Sequence, residues 1–268
     1  IEIKRLETYL KYSLPLIPNV ISWWILNASD RTIILKFINV SANGIYSAAN
    51  KFSGIYTTIY NIFNLSWTES VALHLHENGS KEEFTKLQST VIKFFSCIFL
   101  GLTAIMPFVF KILVNEKFCA AYYQIPILLA GAFFSAMTGI LGAYYVAEKM
   151  TSVIARMTIM AAVLNIAINL IFIRKFGLYA ASISTLIAYL TVFVLRYLDV
   201  RKRFGIKIEL NVGVGTILMM VIVWLAYYRQ NTVECMITFI VVFFYSLVMN
   251  FQLLKSMIEV IKNKFKKI

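Results

Sequence analysis

Eight apolar stretches, each long enough to cross a bilayer as a helix, constrain this chain more than any other feature. They run at roughly 12–29, 43–67, 90–114, 123–147, 153–173, 178–198, 212–228 and 233–254. A hydrocarbon core requires about 20 apolar residues per helical crossing. Lipid cannot satisfy backbone amides, so only helices or closed barrels span it. The runs are helix-length and lack the short alternating segments of a barrel. The expected fold is therefore an all-α polytopic membrane protein with about eight transmembrane helices and no soluble domain between them.

Composition supports this reading. The 268 residues are 60% hydrophobic, and mean hydropathy is +0.75, far beyond the needs of a soluble core. The net charge of +13 does not indicate nucleic acid, because the basic residues punctuate apolar runs instead of clustering on one polar surface. Anionic lipid headgroups are the expected counterpart. Cys97, Cys119 and Cys235 show no ligand spacing and are read as packing residues. The chain opens on Ile1, and IEIKRLETYLKYS is too charged for the apolar region of a signal peptide. The expectation is a piece of a longer protein.

An even number of crossings puts both termini on one side. With that placement, eighteen of the 26 lysines and arginines fall on the terminal side, seven on the other, and Lys51 inside a span. Positive charge favours the cytoplasmic face, so both termini are expected to be cytoplasmic. The tail SMIEVIKNKFKKI spaces Met257, Ile258, Ile261, Phe265 and Ile268 helically between lysines. It reads either as a helix lying on an anionic leaflet or as a solvated basic end.

Ionisable groups inside spans mark pathways or binding sites by default. Lys51 is the strongest candidate: counted from a helix start near Gly44, it lies about 10 Å along the axis. Tyr46, Ser47, Asn50 and the Ser53–Gly54 pair surround it, and Asn61, Asn64 and Glu69 continue the polarity. Spacings of three and four bring Ser47, Asn50, Gly54, Asn61 and Asn64 near one face, which lines either a wet cavity or a polar helix contact. Asp30 and Arg31 end the first run. They form either an interfacial ion pair, with Asp30 capping the next helix, or part of the site. Arg156 reads as interfacial, and Asn165 and Asn169, one turn apart, as bridges between helices.

Pro15 and Pro18 in YSLPLIPN interrupt backbone hydrogen bonding where the first run begins. They are the candidate hinge. His74 and His76 lack the companions a metal site requires, no nucleophile motif is present, and no Gly-rich phosphate loop precedes a helix. Neither enzyme nor metal chemistry is expected.

YSLPLIPNVISWWILNASDRTII, followed by GIYSAANKFSGIYTTIYNIFNLSWTES, resembles the start of the second half of Wzx-type O-antigen flippases. These are polysaccharide transporters of the multidrug/oligosaccharidyl-lipid/polysaccharide superfamily. The Leu-Pro-x-x-Pro element, the Asp-Arg pair, Gly-Ile-Tyr-Ser-x-Ala-x-Lys and Trp-x-x-Ser follow in the family's order. GLYAASISTLIAY at 177–189 resembles the superfamily's Gly-x-x-Gly-Ala-Ala helix start, with Tyr179 and Ala180 where a second glycine is usual.

The resemblance implies two six-helix bundles that rock around a central cavity, with two helices appended. Residues 1–205 would be the second six-helix bundle and 206–268 the two additional helices with a basic cytoplasmic tail. The N-terminal bundle would be missing from this chain. The implied activity is movement of undecaprenyl-pyrophosphate-linked oligosaccharide, an O-antigen or capsule repeat unit, across the bacterial inner membrane by alternating access. Neither the sugar nor the coupling ion, H+ or Na+, is legible, and no cofactor is implied. Lys51 would serve the diphosphate, with Tyr46, Ser47, Asn50, Asn61 and Asn64 serving the sugars and Asp30 and Arg31 at the margin. The alternatives are a multidrug or cation antiporter of the same superfamily, which favours buried carboxylates, an enzyme acting on the same lipid-linked substrate, and a scaffold for other assembly enzymes. The short outer connections around 30–42 and 115–122 disfavour the enzyme.

Overall fold

The computed structural model describes residues 13–14, 16–77 and 80–265, and its described residues are helical almost throughout. The α-helices are α1 (Leu16–Phe37), α2 (Val40–His74), α3 (Ser80–Leu113), α4 (Ile125–Ala147), α5 (Thr151–Phe176), α6 (Leu178–Phe204), α7 (Leu210–Arg229), α8 (Thr232–Met249) and α9 (Phe251–Phe265), with a 3-10 stretch, Glu116–Gln124, leading into α4. The described residues of each of the eight expected runs fall mainly on a helix. The protein is a multi-pass membrane protein of the all-α class: among the described residues, six helical segments are long and apolar enough to cross a membrane.

The two long helices outside that set are α1 and α2. In α1 the apolar stretch among the described residues is Leu16–Leu26, and Asp30, Arg31 and Lys36 lie farther along the helix. The 35 residues of α2 extend about 50 Å, and Asn43, Asn50, Lys51, Asn61, Asn64 and Glu69 lower its hydropathy. Among the described residues, the shortfall against eight spans thus falls on α1 and α2.

Local chemistry sets the helix ends. Asn39, in extended conformation, accepts from the Ala42 amide at 2.8 Å and starts α2. Asn231 does the same for α8 through Val233 and Glu234. Gly177 turns between α5 and α6 at φ +55°, and Gly205 ends α6 at φ +72°, backbone conformations that L side chains disfavour. Pro18 lies in the first turn of α1, where a missing N–H interrupts no intrahelical bond. Pro15, its partner in the candidate hinge, lies outside the described residues.

The chain divides into two compact units. The first holds the residues up to Phe84 together with Leu113–Ile206, and the second holds Thr85–Ile112 and the residues from Lys207 onward. The expected boundary at 205/206 lies one residue from the last crossing, while Thr85–Ile112 groups with the C-terminal helices. Particular contacts account for that grouping. Lys93 pairs with Glu209 at 2.9 Å, Asn250 donates to Cys97 Sγ at 3.1 Å, and Phe108 meets Phe239 edge-on at 6.3 Å. Cys97 and Cys235 pack as expected, whereas Cys119 is exposed in the 3-10 stretch and so is not a packing residue.

Within the first unit the helices close a ring in the spatial order α1, α5, α6, α4, α2, with α1 meeting α2 along the thinnest contact. Small residues permit close approach: Ala161, Ala162 and Ala188 pack with Leu26, Tyr189 and Val192, and Trp23 stacks on Tyr189 at 5.7 Å. Between the neighbouring helices α2 and α4, Trp67 Nε1 donates to the Ile140 carbonyl at 3.0 Å. Tyr60 lies so close over Gly139 that a Cβ there would overlap its hydroxyl.

Gly139→Ala should therefore destabilise the protein by about 1–3 kcal/mol. Thermal unfolding in detergent should show a lowered midpoint that Tyr60→Ala partly restores in the double variant. An unchanged midpoint for the single variant would contradict the packing described.

Candidate functional site: a polar cavity within the helical ring

The ring encloses a cavity of about 470 Å³ lined from α1, α2, α4, α5 and α6. Its polarity comes mainly from one stripe of α2. Tyr46, Asn50, Ser53, Thr57, Tyr60, Asn61, Asn64 and Thr68 all reach it, at spacings that follow the helical repeat. The stripe is ordered internally: Ser53 Oγ donates to Asn50 Oδ1 at 2.6 Å and Tyr60 Oη to Asn64 Oδ1 at 2.7 Å. Opposite it, α4 presents small residues, Ala132, Ser135, Ala136, Gly139, Gly142 and Ala143. These leave the space that larger side chains would fill.

Asp30 closes one end. It is 1% exposed and sits in the body of α1. Its oxygens accept from Tyr46 Oη at 2.7 Å, from Thr185 Oγ1, from Asn169 Nδ2 at 2.8 Å and, more distantly, from Asn165 Nδ2 at 3.4 Å. The donors come from α2, α6 and α5, so one carboxylate ties four helices. This corrects two expectations. Asp30 does not cap the next helix, whose N-cap is Asn39, and it is not an interfacial partner of Arg31, which is exposed. Asn165 and Asn169 do bridge helices.

At the other end stands Arg196 of α6, 2% exposed and lining the cavity. Its Nη1 donates to the Thr138 carbonyl at 2.9 Å and its Nη2 to Thr158 Oγ1 at 3.2 Å. Asp199, one turn along the same helix, is occupied elsewhere. It accepts from Arg203 Nε at 2.8 and 2.7 Å and from Tyr145 Oη at 2.9 Å.

The residues singled out from the sequence separate into two groups. Asp30, Tyr46, Asn50, Asn61 and Asn64 line the cavity. Lys51, Arg31 and Ser47 do not: Lys51 and Arg31 are exposed, and Ser47 is half-buried outside the lining. The reason is rotational. One residue turns a helix by 100°, so a stripe centred on Asn50 carries Lys51 off to the side. Gly54, expected on the polar face, is likewise exposed. Among the described lining residues, the cation is Arg196 instead. Sequence reasoning counted it only among the eighteen basic residues on the side of the termini, yet Ala181, Thr185, Ala188, Val192 and Arg196 share one buried stripe, and that periodicity was readable. Among the described residues no group of histidine, cysteine and carboxylate side chains is arranged to hold a metal ion.

The chain is 24% identical, over 196 residues, to a "probable low-salt glycan biosynthesis flippase Agl15" of Haloferax volcanii; the match covers 69% of this chain and 39% of that protein. The chain thus spans well under half the length of the curated relative it matches. No family model matches the chain, and no solved structure matches it.

Removing the carboxylate should be costly, because each buried donor left without a partner forfeits about 1–3 kcal/mol. Asp30→Ala should lower the thermal midpoint more than any single alanine on the α2 stripe, with Asp30→Asn intermediate. An Asp30→Ala protein as stable as its parent would contradict the network.

Proposed function

We propose that this chain is part of a flippase that carries a lipid-linked oligosaccharide across the cytoplasmic membrane. The observation that carries the reading is the polar cavity inside a ring of membrane helices. A sugar headgroup cannot cross hydrocarbon unaided, because every hydroxyl stripped of water costs free energy unless another partner replaces it. A passage lined by amides and hydroxyls offers that replacement while the lipid tail stays in the bilayer. Asn50, Asn61 and Asn64 supply both donors and acceptors suited to sugar hydroxyls. Similarity to the Haloferax volcanii protein points to the same class of substrate.

In the finer form of the proposal, the substrate is an undecaprenyl-pyrophosphate-linked O-antigen or capsule unit, the membrane is the bacterial inner membrane, both termini are cytoplasmic, and the protein is a transporter, not an enzyme. Alternating access would come from rocking of this ring against a further bundle, with the α1 start at Pro15 and Pro18 as the hinge. One observation bears on the antiporter reading: Asp30 is a buried carboxylate at the cavity wall, as cation coupling favours. Four donors already occupy its oxygens, which leaves a coupling cation little to bind.

The test is restoration of surface glycan in a flippase-deficient strain expressing the whole protein that contains this chain. Rescue is expected at matched membrane levels, with a several-fold loss in the Asn61→Ala/Asn64→Ala double variant and none in Ile62→Ala on the exposed face. Absence of rescue with a biosynthetically compatible glycan would overturn the reading.

A further inference from the structure

The flippase reading leaves the orientation of the substrate in the cavity open, and Arg196 bears on it. A buried guanidinium is retained at considerable cost unless a counter-charge accompanies it. Here none does. Of its five N–H donors, two are engaged by neutral oxygens, at Thr138 and Thr158, and Nε has no partner. The nearest carboxylate along α6, Asp199, is taken up by Arg203 and Tyr145. The other buried charge among the described residues, Asp30, accepts from Thr185, eleven residues and about 16 Å back along α6. The surroundings leave room for the guanidinium and hold it in place. Gly142 lies beneath it, where a Cβ would come within 3.0 Å of Nη1, and Tyr60 packs one turn away over Gly139.

We infer that Arg196 is the anchor for a phosphate ester at the α6 C-terminal end of the cavity, so that a lipid-linked glycan enters with its diphosphate at Arg196 and its sugars along Asn50 and Ser53 toward Asp30. This rests on the flippase reading for the identity of the whole substrate; the anion site itself rests on the geometry. A planar guanidinium with free N–H groups suits the paired oxygens of a phosphate better than a point charge does. The saturated carboxylate at the far end repels a second anion, which gives the cavity one polarity.

The probes are farnesyl diphosphate, farnesol and inorganic pyrophosphate, with binding to the purified protein measured by calorimetry in detergent. The wild type should bind farnesyl diphosphate at least about tenfold more tightly than farnesol or pyrophosphate. Arg196→Gln should abolish that advantage and Arg196→Lys should reduce it, while Arg31→Gln and Lys51→Gln should stay within about twofold of the parent. Equal affinity of the wild type for the diphosphate and the alcohol would overturn the proposal whether or not the Gln variant folds, as would undiminished binding in a folded Arg196→Lys or Arg196→Gln. Tighter binding of inorganic pyrophosphate would overturn the lipid as the source of the phosphate. Arg196-dependent binding in a protein that fails to restore surface glycan would uphold the anion site and remove the flippase reading. Restored glycan with no diphosphate preference would do the reverse.

Discussion

One carboxylate holds the ring together. Asp30 projects from α1, and α2, α5 and α6 each send it at least one hydrogen bond. Within a membrane no hydrophobic force drives one helix onto another, because lipid tails are as apolar as leucine. Packing of small residues and buried polar contacts must supply the association. The alanines of α5 and α6 do so on one side of the ring. On the side where α1 faces α2, the direct contact is thin, and the Tyr46–Asp30 bond crosses it. The cavity exists because this contact is made at one end of the ring and the small residues of α4 keep the middle open.

The same arrangement separates the two buried charges. Asp30 has every oxygen occupied, and Arg196 has donors to spare. A buried ion pair between them would neutralise the cavity and add little to stability after desolvation. Kept three turns apart, they give the space a direction. In the proposed transport cycle that direction would matter more than the magnitude of either charge, because a headgroup with an anionic end and a neutral sugar end can lie in such a field in one orientation.

The all-α membrane fold was legible because hydrophobic run length leaves few alternatives once the solvent is lipid. The described residues of each expected run fall mainly on a helix, and the polar character of α2 was visible in its asparagines. Which side of α2 turns inward was not legible. Lys51 drew attention as the charge deepest in a run, but its direction depends on a 100° rotation that only packing against α4 and α1 decides. Asp30 and Asn165 are 135 residues apart in the chain, so their meeting left no local trace. Arg196 lies on the buried stripe of α6 beside an obvious basic cluster, and the cluster masked the stripe. The grouping of Thr85–Ile112 with the C-terminal helices depends on contacts such as Asn250 with Cys97, again far apart in the sequence.

The central claim is that the α2 stripe faces a hydrated passage and not lipid or a dry helix contact. Thiol accessibility in intact membranes tests it most directly. With Cys97, Cys119 and Cys235 replaced, single cysteines at Asn61 and Ile62 would be exposed to a charged, membrane-impermeant thiol reagent. The account predicts that the position-61 thiol reacts at least about tenfold faster than its neighbour at 62. Equal rates, or faster reaction at 62, would place the stripe out of water and contradict it.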